Sequence, residues 1–97
     1  MIRLNISERI REKLLNTHRV RIAEIEECFE NREGKFLKDT REEHKTNPPT
    51  QWFISQTNAG RKLKIVFIRV VDGSAEIKTA YDPDPIEERT YERKTEK

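Results

Sequence analysis

The chain has 97 residues, with 20 Lys or Arg against 18 Asp or Glu and a formal net charge of +2, which leaves room for one small domain and excludes a two-domain enzyme. Leu, Ile, Val and Phe number 23, enough apolar mass to fold although 39% of the chain is charged. A domain of this size buries only roughly two-thirds of the surface its unfolded chain exposes, so any chemistry is expected on an open face or in a shallow groove.

Bulk charge identifies no partner, but local imbalance does more. Arg61 to Lys78 holds five cations (Arg61, Lys62, Lys64, Arg69, Lys78) against Asp72 and Glu76. Asp82 to Glu92 is acidic, with Arg89 as its one cation. A lone cysteine, Cys28, makes neither an internal disulfide nor a Cys-rich zinc site, and no apolar signal segment opens the sequence, so a cytoplasmic setting is expected. No stretch approaches the ~18 apolar residues of a membrane span.

Taken in chain order, Ser7 to Asn16 places Ile10, Leu14 and Leu15 at helical spacing, with Asn5 and Glu8 as a capping pair. His18-Arg19-Val20-Arg21 interrupts the pattern. A second helix then carries Ile22, Ile25, Cys28 and Phe29 on one face and ends between Asn31 and Gly34, so the two helices form a hairpin. Lys35–Asp39 reads as a short strand, and the polar loop after it contains Asn47-Pro48-Pro49, which continues neither kind of element. Three stronger strands follow at Gln51–Asn58, Lys62–Val71 and Ala75–Tyr81, joined by short Gly-containing turns that imply hairpins. Asp84, Pro85 and Glu87 start a final helix running to about Arg93.

The expected fold is therefore α+β, in the order ααββββα: an antiparallel four-stranded meander packed against an N-terminal helical hairpin and a C-terminal helix. Residues 1–97 form a single domain, with only 94–97 frayed. Strand alternation puts Leu63, Ile65 and Phe67 on one face and Lys62, Lys64, Val66, Ile68 and Val70 on the other. With Ile77 on the core face, Lys78 joins Lys62 and Lys64 in a cationic patch suited to phosphates. The final helix covers part of that second face through Ile86 and Tyr91.

Several segments, in this order, carry a resemblance: His18-Arg19-Val20, the helix ending Cys28-Phe29, Asp39-Thr40-Arg41-Glu42-Glu43-His44, Gly60 to Phe67, Ile77 to Tyr81, and a charged helix with Glu88 and Tyr91. Together they resemble the BrnT-type toxins of the RelE-like group, over nearly the whole chain from about Ile6 to Arg93. The resemblance implies a RelE-like fold and a ribonuclease activity that needs no metal or other cofactor. It also implies a cognate antitoxin that masks the active face, with assembly as a homodimer or as a heterotetramer with the antitoxin. Two departures stand out. Thr79-Ala80-Tyr81 replaces the family's usual Ser-Ala-Arg, and His18-Arg19-Val20 replaces His-Gly-Val, so Tyr81 stands where an arginine is expected.

RNA cleavage by internal attack needs a base near the ribose 2′-OH, a cation for the charge on phosphorus and an acid for the departing 5′-oxygen. Lys64, Lys78, His44 and Tyr81 are the catalytic candidates; Arg61, Lys62, Arg41, Arg89 and Tyr91 are candidates for holding RNA. Each has a plainer reading. Lysines at strand ends blunt sheet edges, Arg61 is a turn residue, and His44 sits in a charged loop where exposure alone explains it. Tyr81 and Tyr91 also fit as packed rings with polar tips. Two histidines in the chain, His18 and His44, do not make a metal site. Trp52 reads as core, and Cys28 as a buried small hydrophobe. Three functions follow: a BrnT/RelE-like endoribonuclease toxin, a non-catalytic protein-interaction module of the same fold, or a small hydrolase of ADP-ribose-linked substrate. The last lacks a nucleophile elbow, a metal cluster and a phosphate loop.

Overall fold

In the computed structural model, which describes residues 3–39 and 49–95, the elements are β1 (Leu4–Asn5), α1 (Glu8–Lys13), α2 (Ile22–Glu30), β2 (Leu37–Lys38), β3 (Thr50–Gln56), β4 (Lys62–Arg69), β5 (Ala75–Tyr81) and α3 (Pro85–Thr95). A π-helical turn, Leu14–His18, prolongs α1. The class is α+β, with a sheet of order β1-β5-β4-β3-β2. That sheet has five strands and is mixed, where a four-stranded antiparallel one was expected: β2 to β5 pair antiparallel in sequence, and β1 adds a parallel edge beside β5. Two residues of β1 give no alternation to detect. Asn5, expected to cap the first helix, belongs to that strand and donates to Ser74 Oγ at 2.8 Å. Ser7 is the cap, its hydroxyl accepting from the Ile10 amide at 3.2 Å.

One face of the sheet is the core. Phe53, Leu63, Ile65, Phe67, Ile77 and Ala80 are buried there beneath Leu14, Val20, Ile25 and Cys28 from the N-terminal helical segment. All four phenylalanines meet in this layer, with Phe29 against Phe53 at 4.8 Å and Phe36 against Phe67 at 5.0 Å, both edge-on. Edge-to-face pairs of this kind add about 0.5–1.5 kcal/mol beyond area burial.

The π-turn ends on Arg19 at φ 54°, a left-handed conformation that a residue with a Cβ rarely adopts. The turn is pinned from across the molecule: Arg61 donates to the carbonyls of Arg19 at 2.8 Å and His18 at 3.1 Å. A break between helices was expected here. Its effect is to swing the His18 ring to 5.8 Å from that of Tyr81.

A second irregularity decides which side chains share a face. β4 and β5 pair as Val66 with Thr79 but as Phe67 with Ile77, which leaves Lys78 in a bulge. Unbroken alternation from Ile77 would turn Tyr81 toward the core and Ala80 away from it. After the bulge Ala80 is fully buried, and Tyr81 stands opposite Lys64 on the other face.

α3 lies against that other face. It begins with a reciprocal cap, the Glu87 amide donating to Asp84 Oδ1 at 2.7 Å and the Asp84 amide to Glu87 Oε1 at 3.1 Å. Tyr91, 7% exposed, is the helix's buried anchor, whereas Ile86, expected to share in covering the sheet, is 67% exposed. Polar pairs take over that part of the contact.

Candidate functional site

Lys64 is the centre of the second face. Its side chain is 11% exposed, since its place on β4 sets it between aromatic residues of the neighbouring strands. Its Nζ lies 4.5 Å from the Trp52 ring centre and 5.7 Å from that of Tyr81, positions in which the negative ring faces attract a cation. It donates to Glu87 Oε2 at 2.7 Å, and the Tyr81 hydroxyl donates to the same oxygen at 3.0 Å. A cation, a phenol and a carboxylate thus form one hydrogen-bonded group, with the His18 ring on its flank.

Electrostatics follow from this packing. Burial pushes the Glu87 carboxyl upward, but hydrogen bonds from Lys64, the Asp84 amide and Tyr81 outweigh it, so it titrates below its ordinary 4.5. Burial raises the Tyr81 phenol, with Lys64 opposing. At neutral pH the carboxylate is charged and the phenol holds its proton.

Of the residues expected to form a cationic patch, Lys62 and Lys64 come together on β4, and each is met by α3: Lys62 by Glu88 at 3.1 Å, Lys64 by Glu87. Lys78 does not join them. The bulge sets it apart, where it pairs with Glu76 at 3.5 Å and lines the hollow between β5 and the start of α1. The patch is therefore two lysines masked by two glutamates.

Arg61, expected to hold substrate, is tied up in structure. Its guanidinium forms a two-pronged pair with Asp82 at 2.8 and 3.0 Å, reaches Glu24 at 3.3 Å and holds the His18 and Arg19 carbonyls. The Asp82 hydrogen bond raises the Arg61 pKa and depresses that of Asp82. Tyr91 is likewise structural. Its hydroxyl donates to the Lys35 carbonyl at 2.8 Å, and its ring packs 5.6 Å from Trp52. Arg89 is exposed on α3, with no ion pair among the described residues. Arg41 and His44 lie outside the described residues.

Three members of the cluster, His18, Glu87 and Trp52, and the Arg61 partner Asp82 were not among the candidates. His18 was visible as one of two histidines in a quoted motif, and Glu87 as a helix cap, but nothing in the sequence tied either to Lys64. Trp52 faces α3 and Lys64 and does not lie in the main core. Asp82, which grips Arg61, stood in the sequence only as the start of the acidic block. Cys28, read as a structural hydrophobe, is fully buried, and burial with the charges of Glu24 and Glu27 pushes its thiol up to about 12. Among the described residues no three carboxylate, imidazole or thiol groups converge to hold a metal, and no helix is long and apolar enough to cross a membrane.

Comparison with protein-family models, with curated proteins and with solved structures gives no match.

Proposed function

We propose that the chain is a BrnT-type toxin with the RelE-like fold, an endoribonuclease that needs no metal and is restrained by a cognate antitoxin. The observation that carries this reading is the Glu87 oxygen shared by Lys64 and Tyr81 at 2.7 and 3.0 Å beside His18, because these are the residue types that phosphodiester cleavage uses. The 2′-OH gives its proton to a base, the 2′-oxygen bonds to phosphorus, and the bond from phosphorus to the 5′-oxygen breaks as that oxygen is protonated. In this reading His18 is the base. Lys64 neutralises the charge gathering on phosphorus, and Tyr81 protonates the leaving oxygen. Trp52 offers a ring on which a base can stack. A phosphate reaches Lys64 only when Glu87 gives way, so the start of α3 guards the site in the free protein.

A second reading, a non-catalytic interaction module, is favoured by a separate observation: Lys62 and Lys64 are already paired within the chain. Expression of the chain alone separates the two. The nuclease reading expects growth arrest, cleavage of RNA by the purified protein, loss of both in Lys64→Ala, and a fall of about 100-fold in cleavage for Tyr81→Phe. Harmless expression with no cleavage sinks it in favour of the module.

A further inference from the structure

An open groove of about 930 Å³ runs beside β3, bounded by the turn after α2 and by the later part of α3. A sheet edge forms its floor. β2 pairs with β3 only at Gln51 and Trp52, and Lys35 with the Tyr91 hydroxyl stands opposite Ile54, so among the described residues the open edge of β3 runs from the Ile54 carbonyl to Gln56, with β4 on its other side.

Alternation determines which backbone groups face the groove. The Thr50 carbonyl accepts from the Asp39 amide on the β2 side, and the Thr57 amide donates to the Arg61 carbonyl on the β4 side. Ile54 and Gln56 therefore direct their amides and carbonyls outward. The Ile54 amide faces the Tyr91 phenol, and Asn31 Nδ2 donates to the Gln56 carbonyl at 2.9 Å. That leaves the Ile54 carbonyl and the Gln56 amide without partners among the described residues. A single residue of an extended chain satisfies both, donating its N–H to Ile54 and accepting from Gln56, which is the pattern of a parallel ladder.

A further feature points to an occupant. Acids outnumber cations on the walls: Lys62 is paired with Glu88, and Glu30, Glu33 and Glu92, with no ion pair among the described residues, face the single further cation Arg32. Carboxylates on both walls match the alternating side chains of a strand laid between them.

We propose that this groove takes an extended, lysine- or arginine-bearing segment of a second polypeptide, added to β3 as a parallel strand. Backbone pairing supplies the fit and the carboxylates select the charge. The groove shares Lys62 and Glu88 with the cationic patch but includes neither Lys64 nor Tyr81, and peptide binding is read without RNA cleavage, so the two proposals fail separately.

The test titrates the full chain with a Lys-Thr repeat peptide of about eight residues, within the usual strand length. Saturable binding is expected, with amide shifts centred on Ile54–Asn58. The exposed triple variant Glu30→Gln, Glu33→Gln, Glu92→Gln should weaken it about tenfold. The same peptide N-methylated at alternate residues should lose binding, and a Glu-Thr repeat should never show it. Equal binding by the N-methylated peptide reduces the contact to surface charge and overturns the proposal. So does equal binding by the triple variant, absence of binding, or occupation of the same amides by a second copy of the chain.

Discussion

The phenol of Tyr91 lies directly over Gly34: a methyl group on Gly34 would stand 2.8 Å from Tyr91 Cζ. The register of β2 against β3 sets Lys35 opposite Ile54, two residues past the last pair, Leu37 with Trp52. The Tyr91 hydroxyl stands at that missing rung and donates to the Lys35 carbonyl at 2.8 Å. Glycine is required because α3 reaches the sheet through the space a side chain would occupy. Gly34→Ala should destabilise the fold by about 1–3 kcal/mol. Tyr91→Phe, which keeps the ring but removes the hydrogen bond to the Lys35 carbonyl, should cost less, about 0.5–1.5 kcal/mol. Urea unfolding of both variants checks this; a double variant no worse than either single one identifies a shared contact.

Arg61 separates structure from substrate binding. Removing it unpins the left-handed Arg19 turn and leaves Glu24, 11% exposed, facing among the described residues no cation but Arg21 at 3.7 Å. Arg61→Ala should lower stability by about 3 kcal/mol. Arg61→Lys should restore only part of that loss, since an ammonium lacks the planar fork that grips Asp82 at two points. An unchanged melting temperature in Arg61→Ala would return the residue to the role of phosphate ligand.

Acid should loosen α3. Glu87 has its pKa depressed below the ordinary 4.5 in the folded chain, so its contribution is complete above pH 4.5 and is lost as pH falls through the folded value. Glu87→Gln should be less stable than the parent at neutral pH, and the gap should close as pH drops below 4.5. The protein's single tryptophan, Trp52, is the natural reporter, lying beside both Lys64 and Tyr91. A gap that stays constant down to full protonation would show that Glu87 does not fasten the helix.

The strands with long alternation, the hairpin turns and the cap of α3 were all legible in the sequence, because each rests on local chemistry: β-branched residues every second place, Gly in a tight turn, Asp-Pro before an acidic first turn. What was not legible depends on partners distant in the chain. β1 exists because β5 offers an edge, and the Lys78 bulge becomes visible only once β4 is paired. That one extra residue carried Lys78 away from the patch and brought Tyr81 into it. The sequence also showed a basic block and an acidic block separately. Only the packing of α3 on the sheet showed that the second neutralises the first.

That neutralisation has a measurable signature. A single-stranded RNA binding the free protein must displace Glu87 and Glu88 from Lys64 and Lys62 before these lysines can release counterions from phosphate. Glu87→Gln with Glu88→Gln makes both cations available in advance. Affinity for a short oligouridine should rise, and the slope of log affinity against log salt should steepen by about 1.4, the single-strand value for two phosphate contacts. Adding Lys62→Ala and Lys64→Ala to that background should return the slope to that of the parent. Binding measured by fluorescence anisotropy across a salt series reads both effects. If the glutamate variants bind no better and with unchanged slope, these lysines do not meet nucleic acid, and α3 covers them as a purely structural partner.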